Sequence, residues 1–159
     1  MDAMSEAAAV KPRMDWADFE KEAGGVVLAL RELGRAVDAA GLDKRLSELL
    51  KVRVSQINGC AFCLQYHLKL GRQLGLDDLL LDSLACWRDS PAYSPRERAA
   101  LAWAEVLTLQ AQHPDADAAY AALQGQFSPA EIANLTAAIA HINAWNRIAG
   151  GLRFTPPAA

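Results

Sequence analysis

Residues 43–75 read DKRLSELLKVRVSQINGCAFCLQYHLKLGRQLG, and the reading of the fold turns on them. Leu46, Leu49, Leu50 and Val54 recur at three- and four-residue steps, the period of a helix with one apolar face. Asp43 stands where such a helix needs an N-cap. Asn58-Gly59 interrupts the pattern, and a second helix is predicted from near Cys60 through Leu64, Leu68 and Leu70, with Gly75 as its C-terminal glycine. The two together read as a helical hairpin.

The same period extends in both directions. Upstream, Val26, Val27, Leu30, Leu33 and Val37 trace an apolar stripe that Gly41 can stop. Downstream, Asp77 can start a short helix through Leu80, Leu81 and Leu84 to Trp87. Ser94-Pro95-Arg96-Glu97 and Ser128-Pro129-Ala130-Glu131 each place Ser at the cap, Pro at the first helical position and Glu three after the Ser. That chemistry satisfies the orphan N–H groups of a first turn. Helices over Leu101–Leu109 and Ile132–Ile148 should follow, with another from about Asp115 to Gln124. No sustained apolar–polar alternation argues for strands. The predicted fold is all-α: a compact bundle of about six or seven helices, with the Cys-x-x-Cys at a helix N-terminus. Residues 1–14, Ala-rich and broken by Pro12, read as a flexible tail, and 15–159 as a single helical domain.

Composition narrows the function classes. The chain has 159 residues, 52% of them hydrophobic and 22% charged, enough apolar side chain for a core and too much for disorder. A net charge of −3 and a pI near 5.6 argue against a nucleic-acid partner. No apolar run approaches the ~18 residues of a membrane span. Asp2 and Glu6 stand where a secretory signal wants positive charge, so a cytoplasmic location is predicted.

Three cysteines, Cys60, Cys63 and Cys86, do not make a secreted disulfide framework. Cys60, Cys63 and His67 fall at i, i+3 and i+7, and at about 100° per residue they project from one helix face. A dithiol in a first turn meets free N–H groups and the positive end of the dipole, which favour thiolate, the nucleophilic form. Glu48, on the preceding helix, can fold its carboxylate back beside His67 and hold the imidazole in one tautomer and in its protonated form. The rival role for Glu48 is an ion pair with Lys51 or Arg45, with His67 merely packing. Cys86, beside Trp87 and with no acid or base near it in sequence, reads as a buried structural cysteine.

Other chemistries fit less well. Attachment of a c-type haem needs His directly after the second cysteine, where Leu64 stands. Structural zinc needs a fourth ligand, and His113, His141 and Cys86 form no second cluster. Gly24-Gly25 and Gly150-Gly151 lack the spacing of a phosphate loop. Neither a metal nor another cofactor is called for.

The pattern Glu48, eleven residues, Cys60, two residues, Cys63, three residues, His67 resembles the active-site signature of alkylhydroperoxidase D-like proteins of the carboxymuconolactone decarboxylase superfamily. The segments Gln56–Cys63, Trp87–Pro91, Glu97–Glu105 and Ile142–Arg147 extend the resemblance over roughly Asp15 to Phe154. It implies an all-helical fold, a homotrimer or homohexamer, and reduction of hydrogen peroxide or organic hydroperoxides by a thiol. Carried over by position, Cys63 is the peroxidatic cysteine, Cys60 resolves it into a disulfide, and Glu48 and His67 relay protons. Phe62 stands where the best-studied branch has a further His, which shifts thiolate activation onto Glu48, His67 and the helix end. The implied partners are a peroxide and an external dithiol or redox-protein reductant. The competing function is a redox-sensing or thiol–disulfide exchange module without useful turnover.

Overall fold

A computed structural model describes residues 10–113 and 116–158. Among these residues there are eight α-helices and no strand. They are α1 (Trp16–Glu22), α2 (Gly24–Ala39), α3 (Lys44–Asn58), α4 (Ala61–Gln73), α5 (Asp78–Asp82), α6 (Pro95–Thr108), α7 (Asp117–Gln124) and α8 (Pro129–Leu152), with one 3-10 turn, Leu84–Cys86, after α5. The all-α reading holds. The count exceeds the expected six or seven because α1, set off from α2 by the break at Ala23, adds a helix.

The boundaries follow from local chemistry. Asp43 and Asp77 accept hydrogen bonds from the N–H groups of Arg45 and Leu79. Ser94 and Ser128 each complete a reciprocal capping box, with Glu97 and Glu131 returning a carboxylate to the cap N–H. Gly59 ends α3 at φ +64°, a left-handed conformation that costs any residue with a Cβ, and the chain there turns directly into α4.

Helix α3 is the centre of the bundle and packs against α4, α6 and α8. Leu46, Leu49, Leu50, Val52 and Val54 are buried on it, and so are Ser47, Glu48 and Ser55. Lys51 and His67 satisfy Glu48 and Asn146 satisfies Ser55, whereas Ser47 Oγ is buried without a hydrogen-bond partner. The long α8 supplies Leu135, Ile139, Ile142, Asn146 and Ala149 to the same core.

The two ends of the described chain meet. Arg13 and Met14, the last residues of the expected tail, donate their N–H groups to Leu152 O, and Thr155 bonds Asp15 through both its N–H and its hydroxyl. Residues 1–9 of that tail lie outside the described residues, as does Asp115, the expected start of α7. Phe154 is buried edge-on against Trp16 and Phe62, with ring centroids 5.8 and 5.5 Å away. This aromatic seam ties α1 and the C-terminal segment to the first turn of α4.

Candidate active site

Cys60 is the N-cap of α4 and Cys63 its third residue. The Cys63 N–H donates to Cys60 Sγ at 3.4 Å, so the first cysteine caps the helix that carries the second. Both thiols are free and nearly fully buried, at 2% and 4% exposure. One turn further along α4, His67 Nδ1 lies 2.6 Å from Glu48 Oε2 on α3. Lys51 Nζ donates to the other carboxylate oxygen at 2.8 Å. Glu48 therefore makes both of the contacts that the sequence set against each other, the relay partner and the ion pair.

The electrostatics decide the proton positions. Burial raises the Glu48 carboxyl, but the hydrogen bond and charge of His67 and those of Lys51 outweigh it and bring the pKa down to about 2. Glu48 is thus an anion at neutral pH, and a carboxylate oxygen can only accept. His67 Nδ1 must carry the proton, which leaves Nε2 as a free base. The expected preference for imidazolium does not hold. Burial lowers the His67 pKa more than Glu48 raises it, so the ring is neutral at pH 7.

The thiols also depart from expectation. Cys60, not Cys63, is the more acidic: the hydrogen bond from the Cys63 thiol outweighs burial, the N–H groups of Cys63 and Phe62 add to it, and the pKa falls to about 7. Cys63 is pushed up, because its thiol donates to Cys60, because it is buried and because a Cys60 thiolate repels a second charge. The helix end stabilises the cysteine that caps it, and the other keeps its proton.

A cavity of about 600 Å³ opens over these groups. Glu48, Cys63 and His67 line it, whereas Cys60 does not. Lys44 and Lys51 of α3 and Phe62, Tyr66 and Leu70 of α4 extend its wall, and α1, α2, α8 and Pro157 complete it, with Trp16, Arg31, His141 and Trp145 among the contributors. His141 is held by Trp145, whose Nε1 donates to His141 Nε2 at 2.9 Å, and burial keeps this ring neutral too.

Asn146 is the residue that reading the sequence missed. It is buried on α8, accepts from Asn58 Nδ2 at 2.9 Å, donates to Ser55 Oγ at 3.1 Å and hydrogen-bonds Cys63, favouring its ionised form. Its signal was an amide among Ile139, Ile142 and Ala149, at core-facing spacing on an apolar helix. Cys86 is corrected in the opposite sense: it is exposed. The 3-10 turn points Leu84 inward and Trp87, just after it, is buried, so Ala85 and Cys86 between them face solvent. Among the described residues, no group of three or more His, Cys, Asp or Glu is gathered to hold a metal ion, and no helix is long and apolar enough to cross a membrane.

The profile of the carboxymuconolactone decarboxylase family matches residues 21–106, which hold Glu48, Cys60, Cys63 and His67. The chain belongs to this family. A family relative, the uncharacterized protein YdfG of Bacillus subtilis, is 32% identical over 75% of this chain and 81% of its own length. The fold matches a protein of unknown function from Agrobacterium tumefaciens, provisionally named an antioxidant defence protein AhpD, with TM-score 0.88 and 38% identity over 94% of this chain and all of that one. A peroxidase-related protein from Ralstonia eutropha with an alkylhydroperoxidase AhpD core shares the fold at TM-score 0.76 and 24% identity, over 94% of this chain and 79% of that one. A debrominase does so at TM-score 0.78 and 20% identity, over 87% and 74%. At 20% identity the debrominase shares the fold alone.

Proposed function

We propose that this protein is a thiol-dependent peroxidase that reduces hydrogen peroxide or organic hydroperoxides through a Cys60–Cys63 dithiol–disulfide cycle. One observation carries the reading. Cys63 faces a cavity together with a neutral imidazole whose Nδ1 is pinned by a buried carboxylate, leaving Nε2 as a base. The family match and the likeness to the provisionally named antioxidant protein support the same chemistry.

The roles follow from the proton positions. His67 Nε2 takes the proton of Cys63, directly or through a water, and Glu48 steadies the resulting imidazolium. The Cys63 thiolate attacks the nearer peroxide oxygen; the O–O bond breaks, Cys63 becomes sulfenic acid, and His67 returns the proton to the departing alkoxide as alcohol. The Cys60 thiolate, which ionises first, then attacks the Cys63 sulfur and displaces hydroxide. An external dithiol or redox protein restores both thiols. Cys60 is thus poised to resolve and Cys63 to meet substrate.

We assign the active form to a homotrimer or homohexamer, in keeping with the exposed Val26 and Leu28 on α2. Steady turnover of hydrogen peroxide or cumene hydroperoxide with a small dithiol tests the activity, and peptide mass spectrometry of the oxidised protein tests the pairing. Cys60 linked to Cys63 is the expected product. Linkage through Cys86 overturns the roles, and a disulfide that forms without turnover favours a redox-sensing module.

A further inference from the structure

Hydrogen peroxide needs little of the 600 Å³ beside Cys63, a volume of the size that holds a drug-sized molecule, about 300–1,000 Å³. Much of the wall is apolar: Trp16 and Trp145, Phe62, Leu70, Ile142 and Pro157. Its charges are uneven. Lys51 is matched by Glu48, the one acid in the lining, whereas Arg31 and Lys44 have no acid there. Both histidines of the wall are neutral. Arg31 and Lys44 do pair outside the cavity, with Glu20 at 3.1 Å and Asp38 at 2.6 Å, but all four side chains are about half exposed. Such pairs hold their partners weakly and exchange them readily. Arg31 also lies 5.6 Å from the centre of the Trp16 ring, which joins the cationic edge to the aromatic wall. Apolar walls beside two cations concentrate a positive potential within the cavity.

We propose that this cavity binds an organic molecule with an apolar, partly aromatic body and a carboxylate, the carboxylate at Arg31 and Lys44 and the body along Trp16, Phe62 and Trp145. The reaction, though not the binding, rests on the peroxidase reading: the substrate is then the hydroperoxide of an apolar carboxylic acid. The dithiol gives up two electrons and two protons, the O–O bond breaks to leave a hydroxy acid and water, and the carboxylate is unchanged.

Two measurements test this. In the first, 4-phenylbutyrate and its methyl ester are titrated into the full chain, followed by tryptophan fluorescence. The acid is expected to bind about three- to tenfold tighter than the ester, as two exposed ion pairs allow, and to lose that margin at high salt. The double variant Arg31→Gln, Lys44→Gln is expected to bind the two alike, with an unchanged thermal melt as its control. Equal binding to the unsubstituted chain, no binding of either at millimolar concentration, or a preference that survives in the double variant overturns the proposal. The second measurement compares turnover of linoleic acid hydroperoxide with that of its methyl ester. Acid-selective binding without turnover of any peroxide leaves the ligand class standing and sinks the peroxidase reading. Equal turnover of acid and ester sinks the ligand class and leaves the peroxidase.

Discussion

Two buried carboxylates sit in this bundle and do different work. Glu105 on α6 takes hydrogen bonds from Trp87 Nε1 at 2.8 Å, Arg53 Nε at 2.9 Å and Arg88 Nη1, and no described cavity opens on it. Burial raises its pKa, and the indole and the two guanidinium groups more than reverse that. Glu48 is held by one lysine and one imidazole, at the wall of a cavity. Guanidinium and indole groups are donors with no acceptor to offer, so that carboxylate can only brace. The imidazole at Glu48 is held neutral by burial, lines a cavity and keeps a second nitrogen that can accept a proton, so that carboxylate can help move one. Burial and a lowered pKa are common to both; the partner's chemistry separates them.

The largest expected effect breaks the brace. Glu105→Ala leaves Arg53 and the Trp87 N–H without their acceptor, and loss of a buried charge partner costs about 3–5 kcal/mol. At ~2–4 °C per kcal/mol for a chain of this size, Tm should fall by roughly 10 °C in calorimetry. An unchanged melt would put Glu105 among the dispensable surface acids.

His67→Gln is expected to do the converse. Peroxide oxidation of Cys63, followed by stopped flow, should slow by about 10–10³-fold, in line with loss of a general base, while the melt moves little. Wild-type rates would end the relay. Glu48→Gln should show both effects: a comparable loss of rate, and about 1–3 kcal/mol of stability, because Glu48 is 1% exposed and Lys51 loses its anion.

Titration sharpens the contrast further. The folded pKa values of Glu48, Glu105 and His67 all lie below their ordinary ones, so the unfolded chain binds more protons, and stability rises with pH until each group is deprotonated in both states. Apart from the gain that the acidic Cys60 adds between about pH 7 and 9, urea unfolding should show a plateau above about pH 6.5, a first decline below it from His67, and a second below about pH 4.5 from the carboxylates, continuing for Glu48 towards pH 2. His67→Gln should erase the first decline and leave the second. A decline above pH 7 would contradict the neutral imidazole.

The smallest expected effect is at the turn between the two helices that carry the site. Gly59→Ala places a Cβ at φ +64°, with open space around it, so only backbone strain of ~1–2 kcal/mol opposes it. Oxidation kinetics should hold if α4 keeps its cap, and chemical denaturation should detect the cost.

How much of this was legible follows from the range of each interaction. Helix starts were readable because Ser94, Ser128, Asp43 and Asp77 act on N–H groups two or three residues away. The alignment of Cys60, Cys63 and His67 was readable because helical geometry alone places them. Glu48 beside His67 was anticipated from a hairpin and an eleven-residue spacing to Cys60, but its protonation consequence was not, since burial and attraction oppose each other there and only their balance sets the sign. Asn146 meets Cys63 from 83 positions further along the chain (146 − 63), a meeting no local pattern encodes. Cys86 turned outward because a 3-10 turn replaced the end of a helix. Sequence by itself determined the helices, their caps and one reactive face, since these depend on neighbours within a turn. Only the tertiary structure decided which thiol ionises first, which nitrogen of His67 is free and which cations edge the cavity, because each depends on groups that folding brings together from distant segments.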